Sequence, residues 1–312
     1  MPKVSIVIPV FNTEKFLARC LNSVLSQSVK DLEVVCVNDG STDDSLKILE
    51  EYAAKDSRIQ VISQENKGQS AARNRAMSEI IGDYVFFVDA DDFIQSQTLE
   101  ILLTIAEKTG CAVVATEETK KYGGDKSYNI DNLQFTVHQK PLEHILTTNI
   151  ASSSVIWNKL YKAELVKNRP FIEGIYFEDW PWVTCLFAKI DKYASVPYAL
   201  NGYNTENEST MRSVFTKRKI SDYVTGIMAV QDFFAKSEYA FLWSLVRAKR
   251  IASSVKLMIN KTYHEKSGQP DLDEYLLKQL ASLHQTESFC YHNLPFKTLW
   301  RLGNIFVRRR HM

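Results

Sequence analysis

The chain has 312 residues, of which 45% are hydrophobic, enough for a full core in one large domain or in a domain with an appendage. Its net charge of +1 excludes the overall basic field that is typical of nucleic-acid-binding proteins. The five cysteines are scattered without a C-x-x-C pair, which argues against a zinc site or a disulfide framework and fits a reducing compartment.

Targeting and membrane signals are weak. The start, "MPKVSIVIPVFN", is interrupted too early for a signal peptide, and no apolar run is long enough to span a bilayer. These features predict a soluble cytoplasmic protein.

The first third of the chain alternates between strand and helix patterns. "VSIVIPV" and "LEVVCVND" are short β-branched runs typical of strands buried on both faces. Between them, the apolar residues of "TEKFLARCLNSVLSQ" recur at helical spacing. "DGSTDDSLKILEEYAAKD" opens with a helix-start signal, "RIQVIS" is a third strand, "GQSAARNRAMSEI" is a helix and "YVFFVDADD" is a fourth strand. The alternation predicts a doubly wound α/β sheet with right-handed crossovers.

Polar residues follow each predicted strand, and ligands bind such sheets beyond the carboxyl ends of the strands. The four segments are Pro9-Val10-Phe11-Asn12, Asn38-Asp39-Gly40, Asn66-Lys67-Gly68 and Asp89-Ala90-Asp91-Asp92. We expect them to converge on one edge of the sheet. They contain neither G-x-G-x-x-G nor the Walker lysine motif, so neither dinucleotide nor P-loop chemistry is indicated.

The D-x-D pair at the end of the fourth strand is a candidate metal site. In an extended segment, Asp89 and Asp91 point to the same side, with their Cα atoms about 6–7 Å apart. Mg²⁺ or Mn²⁺ fits there, held by one or two carboxylates and completed by phosphate oxygens. D-x-D alone is a weak signal, since a solvated acidic turn has the same letters. For Asp92 we favour that simpler interpretation, a turn residue that helps to start the next helix.

Four blocks, in this order and spacing, resemble family 2 of the inverting nucleotide-sugar glycosyltransferases. They are "SIVIPVFNTEKFLARCLNSVLSQ", "EVVCVNDGSTDDSLKIL", "ENKGQSAARNRAM" and "DYVFFVDADD". The resemblance implies the GT-A fold, a Rossmann-like, mixed and mainly parallel sheet flanked by helices, here with a C-terminal helical extension. It assigns a nucleotide-sugar-binding half to residues 1–110, an acceptor-binding half to 111–214 and a C-terminal helical region to 215–312.

The resemblance also implies roles at the matching donor-site positions. The loop at Pro9 and Phe11 and the side chain of Asp39 are expected to contact a nucleobase, most often uracil. Asp89 is expected to meet the ribose, and Asp91 to coordinate the Mn²⁺ or Mg²⁺ ion that bridges the donor diphosphate. Further donor-binding positions lie in the same loops: Asn12, Asn66, Gly68 and Ala90.

Arg73, in "AARN", is expected near the base and the metal-site carboxylates. The alternative for Arg73 is an exposed helix arginine in an ordinary ion pair, which is also our interpretation of Arg75. Asp39 has a simpler alternative too, as a turn residue or helix cap within "DGST".

Sugar transfer needs a general base that takes the proton of the acceptor hydroxyl, while the cation stabilises the leaving group. "GIYFEDWPW" supplies Glu178 and Asp179 between aromatic residues. The family typically carries an E-D pair here whose Asp is the base, so Asp179 is the candidate base and Glu178 the alternative. The simpler role for Glu178 is a structural or acceptor-orienting hydrogen bond.

"VIWNKLYKAEL" also resembles a family block. The acceptor-side candidates are Trp157, Lys159 and Trp180, and a core position is an equal alternative for Trp157.

One segment departs from the family pattern. Relatives often carry basic residues after a tyrosine that follows the E-D helix, whereas "GYNTENESTMRS" has acidic and amide residues and an arginine only at Arg212. A phosphate contact from this segment is therefore in doubt.

The C-terminal third predicts long helices and ends in a basic, aromatic tail, "LPFKTLWRLGNIFVRRRHM". Such a tail is typical of helices that lie in an anionic membrane interface, here at the inner face of the cytoplasmic membrane next to a lipid-linked saccharide acceptor. A helix docked on the domain with a solvated basic end is the alternative.

Three functions compete. The first is a metal-assisted, inverting glycosyltransferase that moves a sugar from a UDP-sugar to a growing bacterial surface glycan or lipid-linked acceptor. A nucleotidyltransferase that makes sugar nucleotides predicts a Gly-rich phosphate loop after the first strand, and "PVFNTEKF" lacks the glycines. A non-catalytic relative that binds glycan or nucleotide-sugar predicts lost carboxylates, yet both D-x-D and E-D are intact. We adopt the first.

Overall fold

The structure is a computed structural model that describes residues 2–116, 126–147, 155–204, 216–238, 240, 256, 258–259 and 270–285. Residues 205–215, which include Arg212, and the basic tail lie outside the described residues. The strands, in chain order, are β1 (Val4–Val10), β2 (Leu32–Asp39), β3 (Ile59–Gln64), β4 (Tyr84–Phe87), β5 (Phe93–Ile94), β6 (Val113–Thr116), β7 (Thr136–Gln139), β8 (Lys159–Lys162), β9 (Lys192–Val196) and β10 (Asn201–Gly202). The α-helices are α1 (Glu14–Leu25), α2 (Ser45–Ala53), α3 (Gln69–Met77), α4 (Thr98–Thr109), α5 (Pro141–Thr147), α6 (Ala163–Val166), α7 (Asp179–Phe187), α8 (Lys217–Ala235) and α9 (Pro270–Gln285), and Ile130–Asn132 is a 3₁₀ turn.

Eight of the described strands form one sheet in the order β3-β2-β1-β4-β8-β6-β9-β7. The first four are mutually parallel. β8 runs antiparallel to β4 and β6, β9 is parallel to β6, and β7 is antiparallel to β9. β5 and β10 form a separate antiparallel pair. The predicted mixed, mainly parallel sheet with flanking helices is confirmed.

The predicted apolar stripe of α1 accounts for its packing. Leu17, Cys20, Leu21 and Val24 are buried in one cluster with the alternate residues of β1 from Val4 to Val10. Each fully buried aliphatic side chain contributes about 2 kcal/mol of transfer free energy. The helix is therefore fixed on one face of the sheet by its period of 3.6 residues, while β1 presents every second residue to it.

The register of the parallel strands brings their carboxyl ends to one edge. Val10 pairs with Asn38, and Asp39 pairs with Gln64. β4 joins the same edge because Val7 pairs with Phe87. The loops that follow these four strands therefore share this edge, where the polar segments were predicted.

The chain divides into two compact units. The first is Met1–Gly174 with Leu186–Asn207, and it contains the sheet. The second is Ile175–Cys185 with Glu208–Met312, in which α8 packs against α9. Within the described ranges, no helix combines the length and the apolar character needed to cross a membrane.

Candidate active site

The loops after β1 and β2 are joined by hydrogen bonds in both directions. Asn12 Oδ1 accepts from Thr42 N at 2.8 Å, and Ser45 Oγ accepts from Thr13 N at 2.9 Å. Asn12 has a left-handed backbone, φ 50°, which asparagine tolerates better than most residues. The preceding residue, Phe11, is 47% exposed, and Pro9 is half-buried. The two hydrogen bonds therefore fix a loop that presents an aromatic ring to solvent.

Asp39 ends β2 and binds the loop that follows β3. Its Oδ1 accepts from Gln64 Nε2 at 2.7 Å and from Lys67 N at 2.9 Å, and its Oδ2 accepts from Gly68 N at 2.8 Å. The helix-cap alternative is wrong, because α2 begins only at Ser45, with Asp44 at its N-cap position. Asp39 is therefore a buried carboxylate whose oxygens organise the loop at the carboxyl end of β3.

Gly40 allows these two loops to approach each other. Its φ is +72°, and a Cβ there would lie 2.8 Å from Asn66 N. Gly68, with φ +87°, then leads into α3. Both glycines supply backbone conformations that side chains disfavour, and Gly40 also supplies the space.

Arg73 on α3 lies against the first aspartate of the D-x-D pair. Its Nη2 is 2.8 Å from Asp89 Oδ1, and the two side chains are 2% and 30% exposed. The guanidinium also lies over the ring of Phe171, with 5.6 Å between Cζ and the centroid. The alternative of an exposed ion pair is wrong for Arg73 but confirmed for Arg75, which pairs with Glu79 on the surface of the same helix.

The acidic segment is a turn, so the expectation of an extended D-x-D is wrong. β4 ends at Phe87, and Asp92 N donates to Asp89 O at 2.9 Å across the turn. Two residues of α1 hold the turn by its backbone: Arg19 Nη2 donates to Asp91 O at 3.0 Å, and Cys20 Sγ lies 3.7 Å from Asp89 O. The side chains of Asp89 and Asp91 are partly exposed, whereas Ala90 is buried.

The interpretation of Asp92 as a solvated helix-start residue is also wrong. Asp92 is buried, its Oδ1 accepts from Asn204 N at 2.7 Å, and α4 begins only at Thr98. Burial, with a smaller contribution from the charge of Asp89, raises the pKa of Asp92 to about 8. Asp92 therefore links the turn to the segment that follows β10.

The oxygen donors of Asp89 and Asp91 fit a hard divalent cation. Across the part of the chain that the structure describes, no group of three or more His, Cys, Asp or Glu side chains is arranged to hold a metal ion. One or two carboxylates suit a Mg²⁺ or Mn²⁺ ion whose other ligands are waters and substrate phosphates, and not a cage built by protein alone.

The acceptor-side candidates of the first unit differ in exposure. Lys159 is buried at the start of β8, where its Nζ donates to Val155 O at 2.6 Å and to Asn158 Oδ1 at 2.7 Å. Its ammonium is therefore not on an open surface. Trp157 is partly exposed and lies nearly parallel to Tyr203, with ring centroids 6.1 Å apart and an interplanar angle of 21°.

In the second unit, the E-D pair lies at the start of α7. Phe177 has a left-handed backbone, φ 64°, which is rare for a bulky residue. Next to it, Glu178 is buried, whereas Asp179, the first residue of α7, is partly exposed. Trp180 lies nearly parallel to Tyr223, with centroids 5.9 Å apart.

Sequence reasoning missed several residues that shape the donor edge. Arg19 contacts a residue 72 positions away, and Asn204 contacts one 112 positions away. No local pattern signals such contacts. Tyr203 had one available signal, because it is the tyrosine of the segment that departs from the family pattern.

Comparisons with known proteins agree with this architecture. The family described as Glycosyl transferase family 2 matches residues 5–169. The uncharacterized glycosyltransferase EpsJ of Bacillus subtilis is 33% identical over 233 residues, which cover 72% of this chain and 67% of EpsJ.

Two solved structures share the fold at lower identity. S. aureus TarS 1–349 in complex with UDP-GlcNAc has a TM-score of 0.67 at 19% identity, covering 98% of this chain and 88% of that one. The mannosyltransferase PcManGT of Pyrobaculum calidifontis, in complex with GDP-Man and Mn²⁺, has a TM-score of 0.52 at 14% identity, covering 99% and 86%. The predicted GT-A fold is confirmed.

Proposed function

The chain belongs to glycosyl transferase family 2, and on that premise we propose that it is an inverting transferase using a UDP-sugar. The transferred group is a hexosyl or N-acetylhexosaminyl residue, and the acceptor is a hydroxyl of a growing bacterial surface glycan or a lipid-linked saccharide. Residues 1–110 bind the donor and residues 111–214 the acceptor.

One observation carries the donor half of the proposal. Three groups lie at the edge where the parallel strands have their carboxyl ends: the exposed ring of Phe11, the carboxylate of Asp39 and the Arg73–Asp89 pair. In parallel α/β sheets this edge is where ligands bind. Phe11 and Asp39 contact the base, Asp89 the ribose, and the loop with Asn66 and Gly68 borders the nucleotide.

Asp91 and Asp89 would hold a Mn²⁺ or Mg²⁺ ion together with the donor diphosphate. When bound, the cation supplies electrostatic stabilisation of the departing diphosphate. The partial exposure of both carboxylates supports this assignment, because a cation completed by phosphates needs an open side. The Mn²⁺ in the PcManGT complex is a parallel from a protein of the same fold.

Asp179 is the general base that takes the proton of the attacking acceptor hydroxyl. A base must touch the acceptor, and Asp179 is partly exposed, whereas Glu178 is buried. The exposure therefore favours Asp179 and leaves Glu178 a supporting role. Trp180, next to it on α7, is the matching candidate for an acceptor contact.

The test is a screen of UDP-sugars for Mn²⁺-dependent thermal stabilisation and slow donor hydrolysis. Asp91→Asn should abolish the metal dependence, while Asp179→Asn should keep donor binding and lose transfer. The matched control is Asp31→Asn, which should behave as wild type. Asp31 is exposed and lies just before β2, at the opposite end of that strand from Asp39. Full turnover by Asp179→Asn would move the base role to Glu178, and formation of UDP-sugar from UTP and sugar 1-phosphate would favour the nucleotidyltransferase.

We also propose that the protein works in the cytoplasm and reaches its acceptor at the inner face of the membrane through the basic tail. The support is the excess of arginine and aromatic residues from Leu294 onward, which suits anionic lipid. Flotation with anionic vesicles should separate the full chain from a chain truncated before Leu294, and equal binding by both would refute the idea.

A further inference from the structure

Few large apolar side chains are exposed in the described part of the chain, and two of them are aromatic residues at the donor edge. Phe11 follows β1, and Tyr203 follows β10 with 38% of its surface exposed. The third, Ile81, is 52% exposed and precedes β4, at the opposite end of that strand from the acidic turn. Exposed aromatic surface beside a ligand site is commonly part of that site.

Tyr203 is not alone. Its ring lies nearly parallel to that of Trp157, with 6.1 Å between the centroids and 21° between the planes. That separation is too short for a third ring to enter between them, since stacked rings need about 3.5–4 Å on each side. The two rings therefore pack against each other as a stacked pair, here named the aromatic platform (Trp157 and Tyr203).

Hydrogen bonds hold the platform next to the acidic turn. Asp92 Oδ1 accepts from the backbone N of Asn204 at 2.7 Å, which places the Cα of Tyr203 within about 5 Å of that oxygen. Asn201 Nδ2 donates to Trp157 O at 2.9 Å. The residue before Asp92 is the proposed cation ligand Asp91, so the platform lies beside the place where the donor diphosphate binds.

The chemistry of this surface fits the face of a pyranose ring. One face of a pyranose carries several C–H groups with partial positive charge, and the face of an aromatic ring is negative. A neutral saccharide gains little net free energy from hydroxyl hydrogen bonds that only replace bonds to water. Apolar stacking is therefore the interaction that a neutral acceptor needs, whereas the donor is already held through its base and diphosphate.

We infer that the aromatic platform binds the acceptor saccharide by stacking and orients it beside the acidic turn. The identification of the bound saccharide as the acceptor rests on the proposed function. The binding of a neutral saccharide to the platform can be measured without turnover. Tyr203 is the residue of the platform that the sequence did not select.

The experiment uses saturation-transfer NMR on the full chain with three neutral probes, the methyl β-glycosides of glucose, galactose and N-acetylglucosamine. Wild type should transfer saturation to the ring C–H protons of at least one probe. Tyr203→Ala should weaken the apparent affinity by about fivefold or more, and Trp157→Ala should do the same. Tyr203→Phe should bind as wild type, because stacking does not need the hydroxyl, and Ile81→Ala is the matched exposed control.

A second measurement, of donor affinity, tests whether the platform binds the acceptor saccharide or the sugar of the donor. Calorimetric titration with UDP-GlcNAc and Mn²⁺ should give Tyr203→Ala a donor affinity within about twofold of wild type. Unchanged probe saturation in Tyr203→Ala, absence of saturation in wild type, or selective loss of donor affinity would each overturn the inference. A wild-type chain that binds no UDP-sugar, yet loses probe saturation with Tyr203→Ala, would retain the platform and refute the transferase proposal.

Discussion

Arg73 and Asp89 form an ion pair in which the two partners differ sharply in exposure. The guanidinium is 2% exposed and the carboxylate 30%, with 2.8 Å between Nη2 and Oδ1. Removing the carboxylate takes an ionised hydrogen-bond acceptor from a buried guanidinium, whereas removing the guanidinium leaves a carboxylate that water can reach. The energetic consequences of the two deletions are therefore unequal.

Asp89→Ala is expected to lower the free energy of unfolding by about 2–4 kcal/mol, and Arg73→Met by less than half of that. Urea denaturation of both variants and the double variant measures the difference. Arg75→Ala, which breaks the exposed pair with Glu79, is the control and should cost at most about 0.5 kcal/mol. A larger loss from Arg73→Met than from Asp89→Ala would contradict the expectation.

Gly40→Ala is expected to be more damaging than Gly174→Ala. Both glycines have left-handed backbones, with φ +72° and +77°, so both alanines carry strain of about 1 kcal/mol. At Gly40 the new Cβ meets backbone, 2.8 Å from Asn66 N, whereas at Gly174 no atom of the described residues lies within 4 Å of it. Thermal melts and UDP titration should show extra destabilisation and weaker UDP binding for Gly40→Ala alone. Equal melting temperatures would mean that the loop moves aside at no cost.

Phe177→Gly is expected to be more stable than Phe177→Ala by about 0.5–1 kcal/mol. Both variants lose the ring, which lies 5.1 Å from that of Tyr223, but only alanine keeps the strain of φ 64°. In an ordinary backbone position the order is reversed, because glycine gains more entropy on unfolding. Chemical denaturation of the two variants measures the difference in their free energies of unfolding. A more stable alanine variant would show that the left-handed backbone at position 177 relaxes when the ring is removed.

The described cysteines are expected to resist thiol reagents in the native state. Cys20, Cys36, Cys111 and Cys185 are buried thiols that are not in disulfides. Burial raises the pKa of Cys36 to about 12 and that of Cys20 well above its usual range. At pH 8 the thiolate fraction of Cys36 is then lower than that of an ordinary thiol by a factor on the order of 10³. Peptide mapping after brief treatment with a disulfide reagent should find these four unlabelled until denaturant is added, and fast labelling of Cys36 would contradict its burial.

Local patterns were sufficient to predict the strands of the sheet and the polar segments at its edge. The apolar runs of β1 and β2 and the stripe of α1 follow from periods of two and 3.6 residues, which depend on neighbours in sequence. The resemblance to a family also rests on local blocks, and the family match confirmed it. The partners of the acidic residues were not predictable in this way.

The amino-acid sequence by itself determined the α/β fold, the family and the presence of carboxylates after β4. Only the tertiary structure decided how the acidic residues at the edge of the sheet are arranged. Asp89–Asp92 form a turn, Asp92 is buried and bound to Asn204, and Asp39 organises the loop after β3. The last two of these contacts join residues that are distant in the chain. Burial and hydrogen-bond geometry depend on which segments the sheet brings together, and a periodic pattern carries no information about that choice.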